Sequence, residues 1–191
     1  MLELEQILER LCGLGAPSGF ERPAALAAKE LLEPLMDEVR LDRLGNVIGV
    51  RRCGRPGAKK LLLDAHLDEV GMTVTGVQDG FLRFQARGVD TRMLPDREVT
   101  VLTDPPMLGV VACLPPHVLT AEDREKAPEV KDLFVDVGLS QEEAERRILI
   151  GTPMVYRADF TRLGERQLCG KALDDRACFA ALLRAAELLR E

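Results

Sequence analysis

The feature that most constrains the fold is a change of pattern along the chain, from helical at both ends to strand-like in between. From Gly71 to about Arg162, short β-like segments follow one another, and turn signals such as Asp79-Gly80 and Pro105-Pro106 separate them. Strands at this density predict a small β-barrel or a sandwich. Two short polar segments within this stretch, residues 121–126 and 140–147, are predicted helices.

Both ends of the chain carry apolar residues at helical spacing. Residues 2–14 predict a first helix that stops at Gly13 and Gly15. Ser18 and Glu21 have the spacing of a capping box and predict the start of a second helix that continues to about Leu35. Residues 177–189 predict a third helix.

A hairpin and a buried strand are predicted between the second helix and the β-rich stretch. Val39 and Leu41 alternate with charged residues before Gly45-Asn46 turns the chain into Val47-Ile-Gly-Val50, which predicts a hairpin. Residues 60–66 form a short apolar run typical of a strand covered on both faces of a sheet. His66 then lies at the carboxyl end of that strand, where open α/β sheets hold their functional groups.

Composition indicates which binding partners and which cellular compartment to expect. The 191 residues are 46% hydrophobic, enough for a globular core, and the net charge of −6 repels nucleic acid and anionic membranes, so neither is an expected partner. No apolar run approaches the length of a membrane span, and the first residues lack the pattern of a secretory signal. Five scattered cysteines predict buried small residues rather than a metal ribbon. These features predict a cytoplasmic protein.

His66 and Asp68 form the sharpest local signal of chemistry. In a His-x-Asp arrangement the aspartate can accept the second imidazole N–H and thereby direct the other ring nitrogen toward a metal ion. A structural histidine, hydrogen-bonded in the core, is the alternative that this pattern alone leaves open. With only two histidines in the chain, His66 is the stronger candidate ligand.

A second signal is the acidic pair Asp174-Asp175, immediately before the third predicted helix. Aspartate is a good helix cap, and the positive end of the helix dipole also favours the ionised carboxylate that a metal requires. Capping alone is therefore an open alternative. A strand end and a helix start are both places where a cleft over a sheet gathers ligands.

Five motifs resemble, in the same order, those of the glutamyl and tetrahedral aminopeptidases, a family that includes cellulase M-like proteins. The motifs are Asp42-Arg-Leu-Gly-Asn-Val-Ile48, Asp64-Ala-His-Leu-Asp-Glu-Val-Gly71, Pro115-Pro-His117, Asp132-Leu-Phe-Val-Asp136 and Gly170-Lys-Ala-Leu-Asp-Asp-Arg176. Together they extend over nearly the whole chain, and their shared order is far more specific than any one of them.

The resemblance implies an α/β fold in which a zinc-peptidase-like α/β/α catalytic domain is divided into residues 1–70 and 164–191. Residues 71–163 would form an inserted small β-barrel that serves in dimerisation. Two divalent metal ions, zinc or cobalt, are implied: His66 would bind one, Asp174 would bridge both, and the candidate catalytic group Asp68 would orient His66. Asp175 would be a neighbour. Peptides with a free N-terminus would be the substrates, and homo-oligomers from dimer to dodecamer are implied.

In the resemblance, a Glu-Glu pair that supplies the general base, a further carboxylate and a histidine follow the Asp-Asp helix, beyond Glu191. We therefore expect a catalytic domain truncated in this chain, whose activity alone is doubtful. The main alternative is a non-catalytic interaction protein that associates through the β-rich domain. Hydrolysis of another bond, such as a glycosidic one, is a third alternative, but the sequence shows no recognisable carboxylate pair for it. His117 follows two prolines and is interpreted as a turn residue.

Overall fold

The computed structural model describes residues 3–189, which form two compact units. One unit contains Met1–Glu69 together with Asp159–Glu191, and the other contains Val70–Ala158. The second unit is thus inserted into the sequence of the first. Its boundaries lie one residue before the predicted 70/71 boundary and five residues before the predicted 163/164 boundary. Its predicted role in dimerisation stays a prediction.

Three helices build the core of the first unit. In chain order the helices are α1 (Leu4–Cys12), α2 (Arg22–Leu32), α3 (Gln141–Arg147) and α4 (Leu173–Leu188), of which α3 belongs to the second unit. Leu11, Ala28 and Leu183 are almost fully buried where α1, α2 and α4 pack together. The helical spacing of apolar residues correctly predicts α1, although Leu2, where that prediction begins, lies outside the described residues.

The start of α2 differs from the prediction. Glu21 is the N-cap residue, α2 begins at Arg22, and Pro23 lies in the first turn, where a missing N–H is tolerated. Ser18 is not a cap, because its hydroxyl donates a hydrogen bond to Asp68 instead. The capping-box prediction for Ser18 is therefore wrong, since a distant carboxylate competes for the hydroxyl.

The predicted hairpin is confirmed. Strands β1 (Glu38–Leu41) and β2 (Val47–Val50) pair antiparallel, with Leu41 opposite Val47. The Asp42 carboxylate closes the turn by accepting hydrogen bonds from the backbone N–H groups of Leu44 and Asn46, each at 2.9 Å. These bonds explain why the pKa of Asp42 is lowered, with the Asn46 side chain as the largest cause.

The predicted strand at residues 60–66 is wrong. This segment is neither helix nor strand, and the side chains of Leu61, Leu62 and Leu63 are 79%, 85% and 51% exposed. A strand needs a neighbour that exchanges backbone hydrogen bonds with it, and no described strand pairs with this segment. The mixed α/β class is confirmed, whereas a layered zinc-peptidase-like sheet stays a prediction.

The second unit is a closed six-stranded barrel, so the sequence-based choice between barrel and sandwich is resolved. Its strands are β3 (Gly71–Gln78), β4 (Phe81–Arg87), β5 (Glu98–Val101), β6 (Met107–Cys113), β7 (Leu133–Asp136) and β8 (Pro153–Tyr156). They pair antiparallel in the order β3-β4-β7-β6-β5-β8. Val74, Leu82, Val111 and Val135 point inward and are at most 1% exposed, as the alternation of the strands requires.

Two helices were predicted beside the barrel, and one is confirmed. Ser140 caps α3 through a capping box in which its Oγ accepts the N–H of Glu143 at 3.3 Å. Residues 121–126 contain only a 3₁₀ turn, Asp123–Glu125.

Two further short strands, β9 (Thr161–Leu163) and β10 (Gln167–Cys169), form a hairpin in the first unit. Among residues 3–189, no helix is long and apolar enough to cross a membrane.

Candidate metal centre

His66 and Asp68 are adjacent in space as the His-x-Asp spacing predicts. The His66 Nδ1 atom lies 3.0 Å from Asp68 Oδ1, and the side chains are 55% and 32% exposed. His66 is therefore not a buried core histidine. When Asp68 accepts a hydrogen bond from Nδ1–H, the neutral ring presents the lone pair of Nε2 on its opposite side.

The opposite side of the His66 ring faces Asp174. His66 Nε2 lies 3.1 Å from Asp174 Oδ1, although 108 residues separate the two in sequence. A lone pair and a carboxylate oxygen are both acceptors, so at this distance they repel unless a positive charge lies between them. A proton can supply that charge, and so can a metal ion.

The spacing of these two atoms fits a shared metal ion. Two donors that each lie about 2.1 Å from one tetrahedral zinc ion are roughly 3.4 Å apart. The 3.1 Å separation of His66 Nε2 and Asp174 Oδ1 is close to this value. An imidazole nitrogen and a carboxylate oxygen are also ligand types that suit zinc and related divalent ions.

Asp174 is placed by an irregular start of α4 and does not act as a helix cap. Asp174 and Asp175 have non-helical backbone angles, their connecting peptide bond is cis, and the N-cap residue Ala172 makes no side-chain cap bond. The Asp174 side chain is 95% exposed. Asp175 instead hydrogen-bonds the Cys178 thiol, which raises the pKa of that thiol.

A largely buried cluster of Glu69, Lys171 and Arg176 lies beside these residues. Lys171 Nζ lies 2.8 and 3.0 Å from the two Glu69 carboxylate oxygens, and Arg176 donates to Oε1 at 3.3 Å. Arg176 is completely buried and Glu69 is 6% exposed. Burial lowers the pKa of Lys171, and the contact with Glu69 opposes that shift.

The cluster joins the segments that carry the candidate ligands. Glu69 follows Asp68 directly, Lys171 precedes Asp174 by three residues, and Arg176 follows it by two. Arg176 also donates to the carbonyl oxygen of Leu67 at 2.9 Å. Because both sequence segments meet in one fully hydrogen-bonded cluster, His66 and Asp174 are held at a fixed separation.

The described residues supply two candidate ligands. No group of three or more histidine, cysteine or acidic side chains suited to one ion occurs within residues 3–189. Catalytic zinc sites use three protein ligands. His117 lies in the other unit, in the 3₁₀ turn Pro116–Val118, as its interpretation as a turn residue expects.

Sequence reasoning missed Ser18 and the Glu69, Lys171 and Arg176 cluster. A signal was present in the sequence, because the three charged residues lie within three positions of the candidate ligands His66 and Asp174. Charged residues are usually exposed, so nothing in their spacing showed that these would be buried together.

Comparisons with known proteins show which family the chain resembles. Lysyl aminopeptidase of Pyrococcus furiosus is 36% identical over 168 residues, which are 85% of this chain and 48% of that protein. The structure of aminopeptidase APDkam598 from the archaeon Desulfurococcus kamchatkensis has a TM-score of 0.89 at 35% identity, and the match covers 97% of this chain and 51% of that one. The TET1 peptidase of Pyrococcus horikoshii, which can assemble into a tetrahedron or a large octahedral shell, has a TM-score of 0.81 at 28% identity, over 96% of this chain and 55% of that one.

The chain spans about half the length of the curated relatives that it matches. The family model described as M42 glutamyl aminopeptidase matches residues 45–191, which include the barrel and both candidate ligands. By this match and these identities, the chain belongs to the M42 glutamyl aminopeptidase family.

Proposed function

We propose that this chain provides part of the metal centre of an aminopeptidase that removes N-terminal residues from peptides. The observation that carries the proposal is the 3.1 Å separation of His66 Nε2 and Asp174 Oδ1, which suits two donor atoms that bind one divalent ion. Family membership supports the choice of reaction, because the family is one of aminopeptidases.

Each of the three residues has a separate task in this proposal. His66 binds one divalent ion through Nε2, and Asp68 accepts a hydrogen bond from Nδ1–H and so holds the ring in position. Asp174 contributes negative charge, and its exposure leaves the second carboxylate oxygen accessible to a second ion. Zinc or cobalt ions, when bound, would polarise the scissile carbonyl and activate the attacking water.

Residues outside these 191 are proposed to complete the site. Two ligands fall short of the three that catalytic zinc sites use, and the chain spans about half of its relatives' length. A general base, which typically contributes about 10²- to 10⁴-fold to the rate, is proposed to come from the same source. The zinc-peptidase-like layered sheet is proposed to belong to this completed form.

Metal binding by this chain tests the proposal directly. Calorimetric titration with zinc or cobalt is expected to show weak binding that His66→Ala and Asp174→Asn each reduce by at least about 10-fold. His117→Ala is the matched control, since it removes the other histidine from the other unit and should leave the affinity unchanged. Equal affinity in the His66→Ala variant would refute the site.

A panel of aminoacyl p-nitroanilides tests the reaction. Release of chromophore that depends on added zinc or cobalt, and that a chelator abolishes, would show that the chain with its assembly partners completes the centre. Folded protein without turnover would favour the second candidate, an interaction protein derived from the family. The cytoplasmic location stays a prediction from the sequence.

We also propose that the barrel unit mediates self-association. Leu149 and Ile150 are 72% and 75% exposed, and Leu108 and Val110 on the outer face of β6 are 48% and 39% exposed. These exposed side chains support the proposal together with the similarity to the TET1 peptidase, which can assemble into a tetrahedron or a large octahedral shell. Light scattering coupled to gel filtration should detect an oligomer, and a monodisperse monomer at high concentration would contradict the proposal.

A further inference from the structure

Ser18 contacts the Asp68 carboxylate oxygen that does not face His66. Ser18 lies in the loop between α1 and α2, and its Oγ donates a hydrogen bond to Asp68 Oδ2. Asp68 Oδ1 lies 3.0 Å from His66 Nδ1. Each carboxylate oxygen of Asp68 therefore has its own partner, and rotation of the carboxylate breaks both contacts.

The loop that carries Ser18 is itself fixed. The backbone N–H of Ala16 donates to Glu69 Oε1 at 3.0 Å, and the N–H of Glu69 donates to the Ala16 carbonyl at 3.1 Å. Pro17 and Glu69 form an isolated parallel bridge. The Glu69 carboxylate is in turn held by Lys171. Ser18 is thus presented to Asp68 by backbone and by buried side chains, and not by a freely moving loop.

We propose that Ser18 is a positioning residue that locks the Asp68 carboxylate and, through it, the ring orientation of His66. Asp68 is one-third exposed, so without the serine its carboxylate would turn toward water. A carboxylate that rotates freely holds the imidazole less well. The ring must then be ordered when the metal binds, and this entropic cost lowers the metal affinity. The consequence for metal affinity rests on the proposed function, whereas the locking of the ring does not.

Ring order in the metal-free protein tests the locking step. In a His117→Gln background, His66 contributes the remaining imidazole N–H signals, and a hydrogen-bonded Nδ1–H is expected as a sharp downfield proton resonance at fixed pH. Ser18→Ala should broaden this resonance or remove it, and Ser18→Thr should restore it, because threonine keeps the hydroxyl. An unchanged resonance in Ser18→Ala would overturn the proposal.

A matched control separates positioning from general destabilisation. Ser140 is the only other serine, and Ser140→Ala removes the cap of α3 in the barrel unit. That variant should lower thermal stability yet leave the His66 resonance intact. If Ser140→Ala and Ser18→Ala alter the resonance equally, loss of stability explains the effect and the proposal fails.

Metal affinity then tests the consequence through a double-mutant cycle. Ser18→Ala should weaken zinc binding about 3- to 10-fold, the effect of one net hydrogen bond, and Asp68→Ala about 10- to 100-fold. In the Asp68→Ala background, Ser18→Ala should have no further effect, because Ser18 acts only through Asp68. Additive effects would overturn the proposed route.

The two proposals fail in distinguishable ways. If the wild-type chain binds no metal through His66 but Ser18→Ala still disorders the ring, the metal centre is refuted and the positioning role stands. If metal binding depends on His66 but neither the ring signal nor the affinity responds to Ser18→Ala, the positioning role is refuted and the metal centre stands.

Discussion

Replacement of Arg176 by methionine is expected to destabilise the first unit strongly. Arg176 is completely buried, and its guanidinium donates to the carbonyl oxygens of Leu11 at 2.6 Å, Leu14 at 2.9 Å and Leu67 at 2.9 Å. It also donates to Glu69 at 3.3 Å. Methionine fills similar apolar volume but supplies none of these donors, so the variant isolates the polar contribution.

The expected cost follows from what the substitution leaves behind. The Leu67 carbonyl loses the side-chain donor that reaches it, whereas Leu14 keeps a bond from Lys171 at 2.7 Å. An unsatisfied buried carbonyl costs about 1–3 kcal/mol, and breaking a buried ion pair costs about 3–5 kcal/mol. Because Glu69 keeps its lysine partner, we expect a loss near the lower end, about 3 kcal/mol in the free energy of unfolding.

Arg184→Met is the matched control on the same helix. Arg184 is 60% exposed and pairs with Glu187 at 2.6 Å, so its removal should change stability by about 0.5 kcal/mol or less. Urea unfolding should be followed by pulsed alkylation of Cys12, which is 2% exposed in the folded protein. Mass spectrometry of its peptide reports on the first unit alone, which matters because a chain with two units need not unfold in one step.

The comparison of these two variants can refute the reasoning. If Arg176→Met and Arg184→Met shift the urea midpoint of Cys12 labelling equally, the buried cluster does not stabilise the unit. A loss well above 5 kcal/mol in the free energy of unfolding would show instead that Lys171 alone cannot compensate the buried negative charge of Glu69.

Three further predictions concern other parts of the chain. Gly80 has φ 85°, and a Cβ there would lie 2.5 Å from a backbone carbonyl oxygen. Gly80→Ala should therefore lower the free energy of unfolding, measured by thermal unfolding, by about 1–3 kcal/mol more than Gly138→Ala, where the space is open. The Arg92 hydrogen bond lowers the pKa of Asp90 from 3.8 to about 2. A lowered folded-state pKa gives stability that is present above the unfolded value and is lost as pH falls from about 4 toward 2. NMR titration of Arg92→Gln should return the Asp90 pKa toward 3.8, and an unchanged value would contradict the assignment. Leu62 is 85% exposed, so Leu62→Lys should keep stability within about 0.5 kcal/mol and reduce binding of a hydrophobic dye, and a loss above about 2 kcal/mol would show that Leu62 is packed.

Features that depend on neighbouring residues could be predicted from the sequence. The β1–β2 hairpin follows from the turn chemistry between Asp42 and Asn46, and its residues face one another as the alternation requires. The helix predicted at residues 140–147 and the helical period of α4 are local in the same sense. In each case the energy that fixes the element comes from residues a few positions apart.

Predictions failed where the structure of a segment depends on a residue or strand that is distant in sequence. Ser18 has the spacing of a helix cap, but its hydroxyl bonds to Asp68, 50 residues away. Residues 60–66 have the composition of a buried strand, yet strand pairing is a property of two segments, and the described residues pair nothing with this one.

The candidate site divides in the same way. The sequence by itself determined the pair His66 and Asp68, because two residues of separation already bring an imidazole and a carboxylate within reach. Only the tertiary structure decided that Asp174 lies 3.1 Å from the same ring and that Glu69 and Arg176 are buried together, 107 residues apart in sequence. The physical reason is that desolvation and ion pairing between distant segments depend on packing, which spacing along the chain does not encode.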